Sequence, residues 1–282
     1  MAFTPKGIFS AIVTPLTADD QLDEKAFRRI IDFQLDAGLA GLLVAGGSGE
    51  FVSLTPRERQ RVVEIAVDHV AGRAPVIVGA LAPGTREVQD VARHAARAGA
   101  DAVLVLPAYY VKPSAAGIFE HFSRVSDASD LPIVAYNNSG RTGVNLDVAL
   151  LDRLAAIPKI VALKECERDL GVVANKIQIL GGRIAILSGD DDLGFPTFML
   201  GSPGGIFTTT NLVPRHLVSL FEAVCSGRIE AARRAHFDLL PLIAAIYTAD
   251  HPGPLKSAMS LTGHSVGRAR FPLQQGSTEA IQ

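Results

Sequence analysis

Lys164 ends an apolar run, Ile160-Val161-Ala162-Leu163, that looks made to be buried. An ammonium is strongly hydrated, so a lysine at the end of such a run either snorkels to water or does chemistry. A second run, Pro132 to Asn137, carries Tyr136 near its end. If the two runs are neighbouring strands, about 4.8 Å apart, the phenol reaches the amine or a group bonded to it. An ordinary lysine is neutral in about one molecule in 2500 at pH 7. Lowering its pKa to ~7 costs the ammonium roughly 4–5 kcal/mol, and apolar strands around the amine are one way to do it. A neutral lysine attacks a ketone and forms a Schiff base that drains electrons from the adjacent carbon, while a phenol beside it carries protons. On its own, a lysine at a strand end is a solvated rim residue. The adjacent tyrosine, and the polar residues that end the other strands, favour the catalytic reading.

Other polar residues supply binding chemistry. The backbone amides of Gly46-Gly47-Ser48-Gly49-Glu50 and the Ser48 hydroxyl suit a carboxylate, although an ordinary loop reads equally well. Arg141 can hold a carboxylate bidentately, or simply sit in water. Asp190-Asp191-Asp192 raises a metal-dependent aldolase as an alternative. No histidine stands at ligand spacing, and an aspartate there also serves as a helix N-cap, so no metal is expected.

The elements that must position these residues are marked by punctuation. Strands are expected at 7–15, 41–46, 75–81, 102–108, 132–137, 160–165, 184–190 and 204–210, with helical patterns between them. Near-continuous apolar runs suit a parallel sheet covered on both faces. Gly38, Gly99, Gly181 and Gly201 each follow a helical pattern as a C-cap glycine does, and Thr55-Pro56 with Glu58 reads as a helix start. Eight βα units predict a (β/α)8 TIM barrel over 1–226, with a C-terminal helical extension over 227–282. A doubly wound open sheet is disfavoured because no GxGxxG follows the first strand.

Composition narrows the partners. With 27 Lys+Arg dispersed among 29 Asp+Glu, the chain has no basic stripe for nucleic acid and no polybasic tail for a membrane. Cys166 and Cys225 lie in helix-like surroundings and read as free thiols. No signal peptide or membrane-length run is found, and a cytoplasmic location is expected.

Taken in order, "AIVTPL", "GGSGE", "YNNSGRTG", "ALKE", "SGDD" and "GGIFTTTN" resemble the dihydrodipicolinate synthase and N-acetylneuraminate lyase family over nearly the whole chain. The resemblance implies that Lys164 forms a Schiff base with pyruvate or a related 2-oxo acid, and that Tyr136 transfers protons. It makes Tyr110 a tyrosine that reaches into a neighbouring subunit's site. Ser48 matches a carboxylate-binding hydroxyl beside Gly47, Gly189 falls in the binding loop "SGDD", and the backbone carbonyl of Ile206 is placed near the reacting centre. Arg141 resembles the arginine that binds an aldehyde's carboxylate. A homotetramer built as a dimer of dimers, without metal or organic cofactor, is implied.

Synthases of this kind have a relay hydroxyl where this chain has Gly47, and "AGGSGEFVSLTP" resembles the loop of ketodeoxyglucarate dehydratases instead. An aldolase or dehydratase of a sugar-derived 2-oxo acid is therefore the alternative activity, and a non-catalytic ligand-sensing barrel the alternative class. In lysine-inhibited relatives a pocket near the dimer interface is polar. The equivalent positions here are Pro56, Arg59 and Pro83, with Glu87 and Tyr109 retained, so little inhibition by lysine is expected.

Overall fold

The computed structural model describes residues 3–248 and 250–276. Eight strands, β1 (Gly7–Ala11), β2 (Gly41–Val44), β3 (Val76–Ala80), β4 (Ala102–Val105), β5 (Ile133–Asn137), β6 (Ile160–Glu165), β7 (Ala185–Ser188) and β8 (Gly204–Phe207), close into one barrel in chain order. Every neighbouring pair is parallel, including β8 with β1, so the expected TIM barrel is what forms. The crossovers carry α1 (Glu24–Leu35), α2 (Pro56–Val70), α3 (Thr85–Ala98), α4 (Ala115–Ala128), the single turn α5 (Ser139–Thr142), α6 (Val148–Leu154), α7 (Leu170–Leu180), α8 (Gly194–Met199) and α9 (Pro214–Cys225). The extension supplies α10 (Ile229–Ile246) and α11 (Gly253–Leu261).

Local chemistry sets the helix ends. Thr55 and Glu58 form a reciprocal capping box at the start of α2, with Pro56 in the first turn where its missing N–H costs nothing. Gly99 closes α3 in the left-handed region at φ 87°, where a side chain would be strained. Gly181 does not behave this way: it ends α7 at φ −61° in the right-handed region, with its N–H on the Ile177 carbonyl.

Alternation along the strands divides the core in two. In β4, Ala102 and Leu104 point into the barrel interior with Phe9, Leu43, Ile77, Val134 and Ala162, while Val103 and Val105 meet the helices. Most strands are shorter at their C-terminal ends than their apolar runs suggested; β1 stops at Ala11 and β8 at Phe207. There the chain leaves the ladder to build the loops above the barrel. The extension packs α10 against α9 and α8, and its last described stretch returns to the barrel mouth. There Arg270 binds Glu58 and Asp20.

Candidate active site

Strand periodicity decides which side chains face the barrel axis. Val134 and Ala162 are interior residues, so two positions further along, Tyr136 and Lys164 point to the same side at the strand ends. The register of β5 on β6 sets Tyr136 directly beside Lys164. The amine lies 4.6 Å from the centroid of the phenol ring. Both line a cavity of about 670 Å³ at the C-terminal end of the barrel.

Lys164 is 6% exposed, and no described carboxylate comes within 4.0 Å of its amine. Burial pulls the amine down, while the neighbouring Tyr136, Cys166, Asp190 and Asp191 pull it up, and the net direction is above the ordinary lysine range. Apolar strand walls alone therefore do not set the state of this amine. The reading from sequence counted the strand walls and not the carboxylates on the loop after β7. Burial also pushes the Tyr136 phenol up and the Cys166 thiol well up, so both are protonated at pH 7. A protonated phenol beside the amine is a proton donor for a leaving hydroxyl.

The other site residues separate into those the cavity gathers and those it does not. Gly47, Ser48, Arg141 and Gly189 line the cavity. A Cβ on Gly47 meets nothing within 4 Å, whereas one on Gly189 falls 2.5 Å from the Cys166 sulfur and 2.8 Å from the Glu165 carbonyl oxygen. Only glycine fits at 189. The backbone N–H groups of Gly47, Ser48 and Gly49 have no partner among the described residues, as an anion-binding turn requires. Arg141 stands exposed on α5 with its guanidinium free of ion pairs among the described residues. Ile206 belongs to the buried interior cluster and is not on the cavity wall. Tyr110 points away: it is 90% exposed, holds φ 73°, and does not line its own chain's cavity.

Several wall residues were not singled out from the sequence. Asn138 donates from Nδ2 to the Tyr136 hydroxyl at 3.0 Å and accepts the Arg141 backbone N–H on Oδ1 at 3.2 Å, tying the proton carrier to the arginine turn. It sits in "YNNSGR", where the motif itself was the signal. Cys166 lines the cavity just after β6 and does not lie on a helix; Cys225 does end α9. Asp191 is no N-cap. It accepts the backbone N–H groups of Thr208 and Thr209 and the Tyr247 hydroxyl, pinning the end of β8 to the extension. Tyr247 and His251 of the extension complete the wall. Among the described residues no group of three or more His, Cys, Asp or Glu is arranged to hold a metal ion.

Known proteins share both the sequence and this geometry. The dihydrodipicolinate synthetase family matches residues 4–282. A 4-hydroxy-tetrahydrodipicolinate synthase of Methanothrix thermoacetophila is 39% identical over 275 residues, covering 97% of this chain and 92% of that protein. One from Methanopyrus kandleri is 39% identical over 277 residues, covering 98% and 92%. The crystal structure of the dihydrodipicolinate synthase of Aquifex aeolicus superposes with a TM-score of 0.94 at 34% identity, covering 98% of this chain and 94% of that one. The Acinetobacter baumannii synthase, crystallised with pyruvate, superposes at 0.95 and 30% identity, covering 98% and 95%. Likeness of this extent, in a closed parallel barrel with a lysine and a tyrosine paired at its mouth, makes the chain an enzyme of the lyase and aldolase class that belongs to the dihydrodipicolinate synthetase family.

Proposed function

We propose that the protein is a 4-hydroxy-tetrahydrodipicolinate synthase, in which Lys164 captures pyruvate as a Schiff base and the resulting enamine adds to a carboxylate-bearing aldehyde. The observation that carries this reading is Lys164 itself: a buried amine with no carboxylate partner among the described residues, beside a protonated tyrosine, in an open cavity. The deprotonated amine attacks C2 of pyruvate, and the carbinolamine hydroxyl leaves as water with a proton from Tyr136. The phenolate left on Tyr136 takes a proton from C3 to give the enamine, and so holds the proton that the later alkoxide needs. C3 then bonds to the aldehyde carbon as its C=O π bond opens, and the new alkoxide takes a proton. The free amides of residues 47–49 suit the pyruvate carboxylate, and the unpaired Arg141 suits the carboxylate of the aldehyde. Pyruvate in the Acinetobacter baumannii relative supports the choice of 2-oxo acid.

The open space at Gly47 favours a second reading, turnover of a sugar-derived 2-oxo acid that is bulkier at this wall. The exposed Tyr110 completes a neighbour's site in a cytoplasmic homotetramer. Borohydride reduction with pyruvate, followed by peptide mass spectrometry, tests the mechanism. A stable adduct on the peptide containing Lys164, absent in Lys164→Ala, is expected; an unmodified Lys164 would sink it. Mixing Lys164→Ala with Tyr110→Phe subunits should restore activity, and exchange of subunits without recovery refutes the shared site.

A further inference from the structure

One side chain touches the proton carrier without being able to take its proton. Asn138 follows β5 and caps the single turn α5, accepting the Arg141 backbone N–H on Oδ1 at 3.2 Å. Its other amide atom lies 3.0 Å from the Tyr136 hydroxyl oxygen. A backbone N–H only donates, so the atom facing Arg141 is the carbonyl oxygen and the atom facing the phenol is Nδ2. The reverse orientation would set two N–H groups head to head. Asn138 therefore donates to Tyr136, and the phenol's own proton is turned away from it, toward the cavity that both residues line.

This bond changes what the phenol can do. When Tyr136 gives its proton to the carbinolamine hydroxyl, water departs and a negative charge stays on the phenol oxygen. A hydrogen bond to an ionised oxygen is about twice as strong as one to a neutral oxygen, so the Asn138 amide stabilises the phenolate more than the phenol. The rest of the surroundings is divided: burial, the Cys166 thiol and the Asp190 carboxyl push the phenol up, while Lys164 and Asn138 pull it down. Tyr109 and Arg141 line the same cavity, and at Gly47 the wall has no side chain to offer. An amide N–H does not ionise, so Asn138 supplies charge stabilisation and cannot pass the proton on as a hydroxyl would.

We infer that Asn138 is a positioning residue for the proton carrier: its amide aims the Tyr136 proton at the reacting centre and stabilises the phenolate until that oxygen recovers a proton from C3. This rests on the proposed capture of pyruvate by Lys164. It gives Asn138 a role beyond the helix cap, and the two roles can be separated. Aspartate has the same shape and keeps the cap acceptor but loses the donor.

Two measurements test it. Tyrosine is replaced throughout by difluorotyrosine, whose phenol is acidic enough to titrate in folded protein, and the Tyr136 signal in ¹⁹F NMR is assigned through Tyr136→Phe. Without substrate, the phenol midpoint should rise by about 0.5–1 pH unit in Asn138→Val, the worth of one hydrogen bond, and further in Asn138→Asp, whose carboxylate accepts the phenol proton. A midpoint that stays or falls in Asn138→Asp leaves Asn138 a helix cap only and overturns the inference, whether or not Asn138→Val folds. The limiting rate of borohydride trapping with pyruvate should fall about 2–10-fold in both variants, with the half-saturating pyruvate concentration unchanged. A limiting rate equal to that of the wild type also overturns it. If the wild type itself traps nothing, the Schiff-base reading fails instead, and the midpoints still decide whether Asn138 donates to Tyr136.

Discussion

The two faces of β6 treat a buried amine in opposite ways. On the outer face, Glu165 reaches toward α7 and meets Lys176 at 2.7 Å, with neither side chain more than 1% exposed. Asn137 and the Glu167 N–H complete the bonding of that carboxylate. On the inner face, one residue earlier, Lys164 meets a phenol ring and a cavity. Lys256 of the extension resembles the outer pair, held by Glu50 at 2.5 Å. Burial is therefore common to all three lysines, and the missing carboxylate partner is what sets Lys164 apart. A paired buried charge is structural; an unpaired one facing a cavity is free to react.

Removing each amine gives the largest expected effect and breaks the comparison if it fails. Lys164→Ala should abolish the reducible pyruvate adduct and all turnover while leaving stability within about 1 kcal/mol of wild type, since no pair is broken. Lys176→Met should do the reverse. It strands Glu165, whose carboxyl burial already pushes upward, at a cost of about 3–5 kcal/mol, and the protein that remains folded should still trap pyruvate. Urea midpoints together with adduct mass check both. A Lys164→Ala protein destabilised as much as Lys176→Met would make the inner amine structural as well.

Next in size comes the phenol that replaces a carboxylate as the neighbour of Lys164. Tyr136→Phe should lower kcat by roughly 10²–10⁴, the worth of a positioned acid–base group, with slower imine formation. Gly47→Thr sharpens the point, because a Cβ there meets nothing within 4 Å and the residue can supply a hydroxyl for moving the proton onward. It should raise kcat with the carboxylate-bearing aldehyde without changing the pyruvate concentration that half-saturates trapping. A Gly47→Thr enzyme slower with the aldehyde, alongside wild-type turnover of a deoxy-sugar 2-oxo acid, would favour the second reading of the activity.

The inner half of this comparison was legible in the sequence and the outer half was not. The barrel could be read because each parallel strand, covered on both faces, must be a continuous apolar run, and Tyr136 and Lys164 end two successive ones. The electrostatic surroundings of Lys164 could not, since Asp190 and Asp191 are brought to its side of the barrel only when β7 closes beside β6. His251 and Tyr247 come from a stretch whose helical pattern gives no hint of which end of the barrel it returns to. The one local signal was His251-Pro252-Gly253-Pro254, a break between two helices carrying a lone histidine. The stacking of these two rings and the bond between His251 and Ser48 are tertiary facts.

A smaller effect separates rim pairs from buried ones. Arg270 binds Glu58 at 2.6 Å, and that hydrogen bond is the main reason the Glu58 carboxyl falls from 4.5 to about 2. The folded value lies below the unfolded one, so the pair's contribution is fully present above about pH 4.5 and is lost as pH falls toward 2. Partial exposure screens it, leaving roughly 1–2 kcal/mol. Glu58→Gln should therefore lower Tm at pH 7, with the gap to wild type closing by about pH 2. A gap that stays constant across that range would mean the carboxylate charge does not matter.

The smallest expected effect is an absence of response, and it extends the rule to an exposed carboxylate. Arg59 and Glu87 form an ion pair at 2.9 Å on neighbouring helices α2 and α3, and the Tyr109 phenol is held above its ordinary range by burial and by Glu87. Glu87 is the acceptor that an amino acid's ammonium would need, and Arg59 already occupies it. The incoming ammonium must displace a guanidinium from its carboxylate and then lie beside that like charge. Millimolar lysine should therefore change the rate of synthesis by less than about twofold. Arg59→Ser, which frees Glu87, should make the enzyme measurably more sensitive in steady-state assays. Strong inhibition of the wild type at low lysine concentration would show that a charge paired in this way still serves as a ligand site.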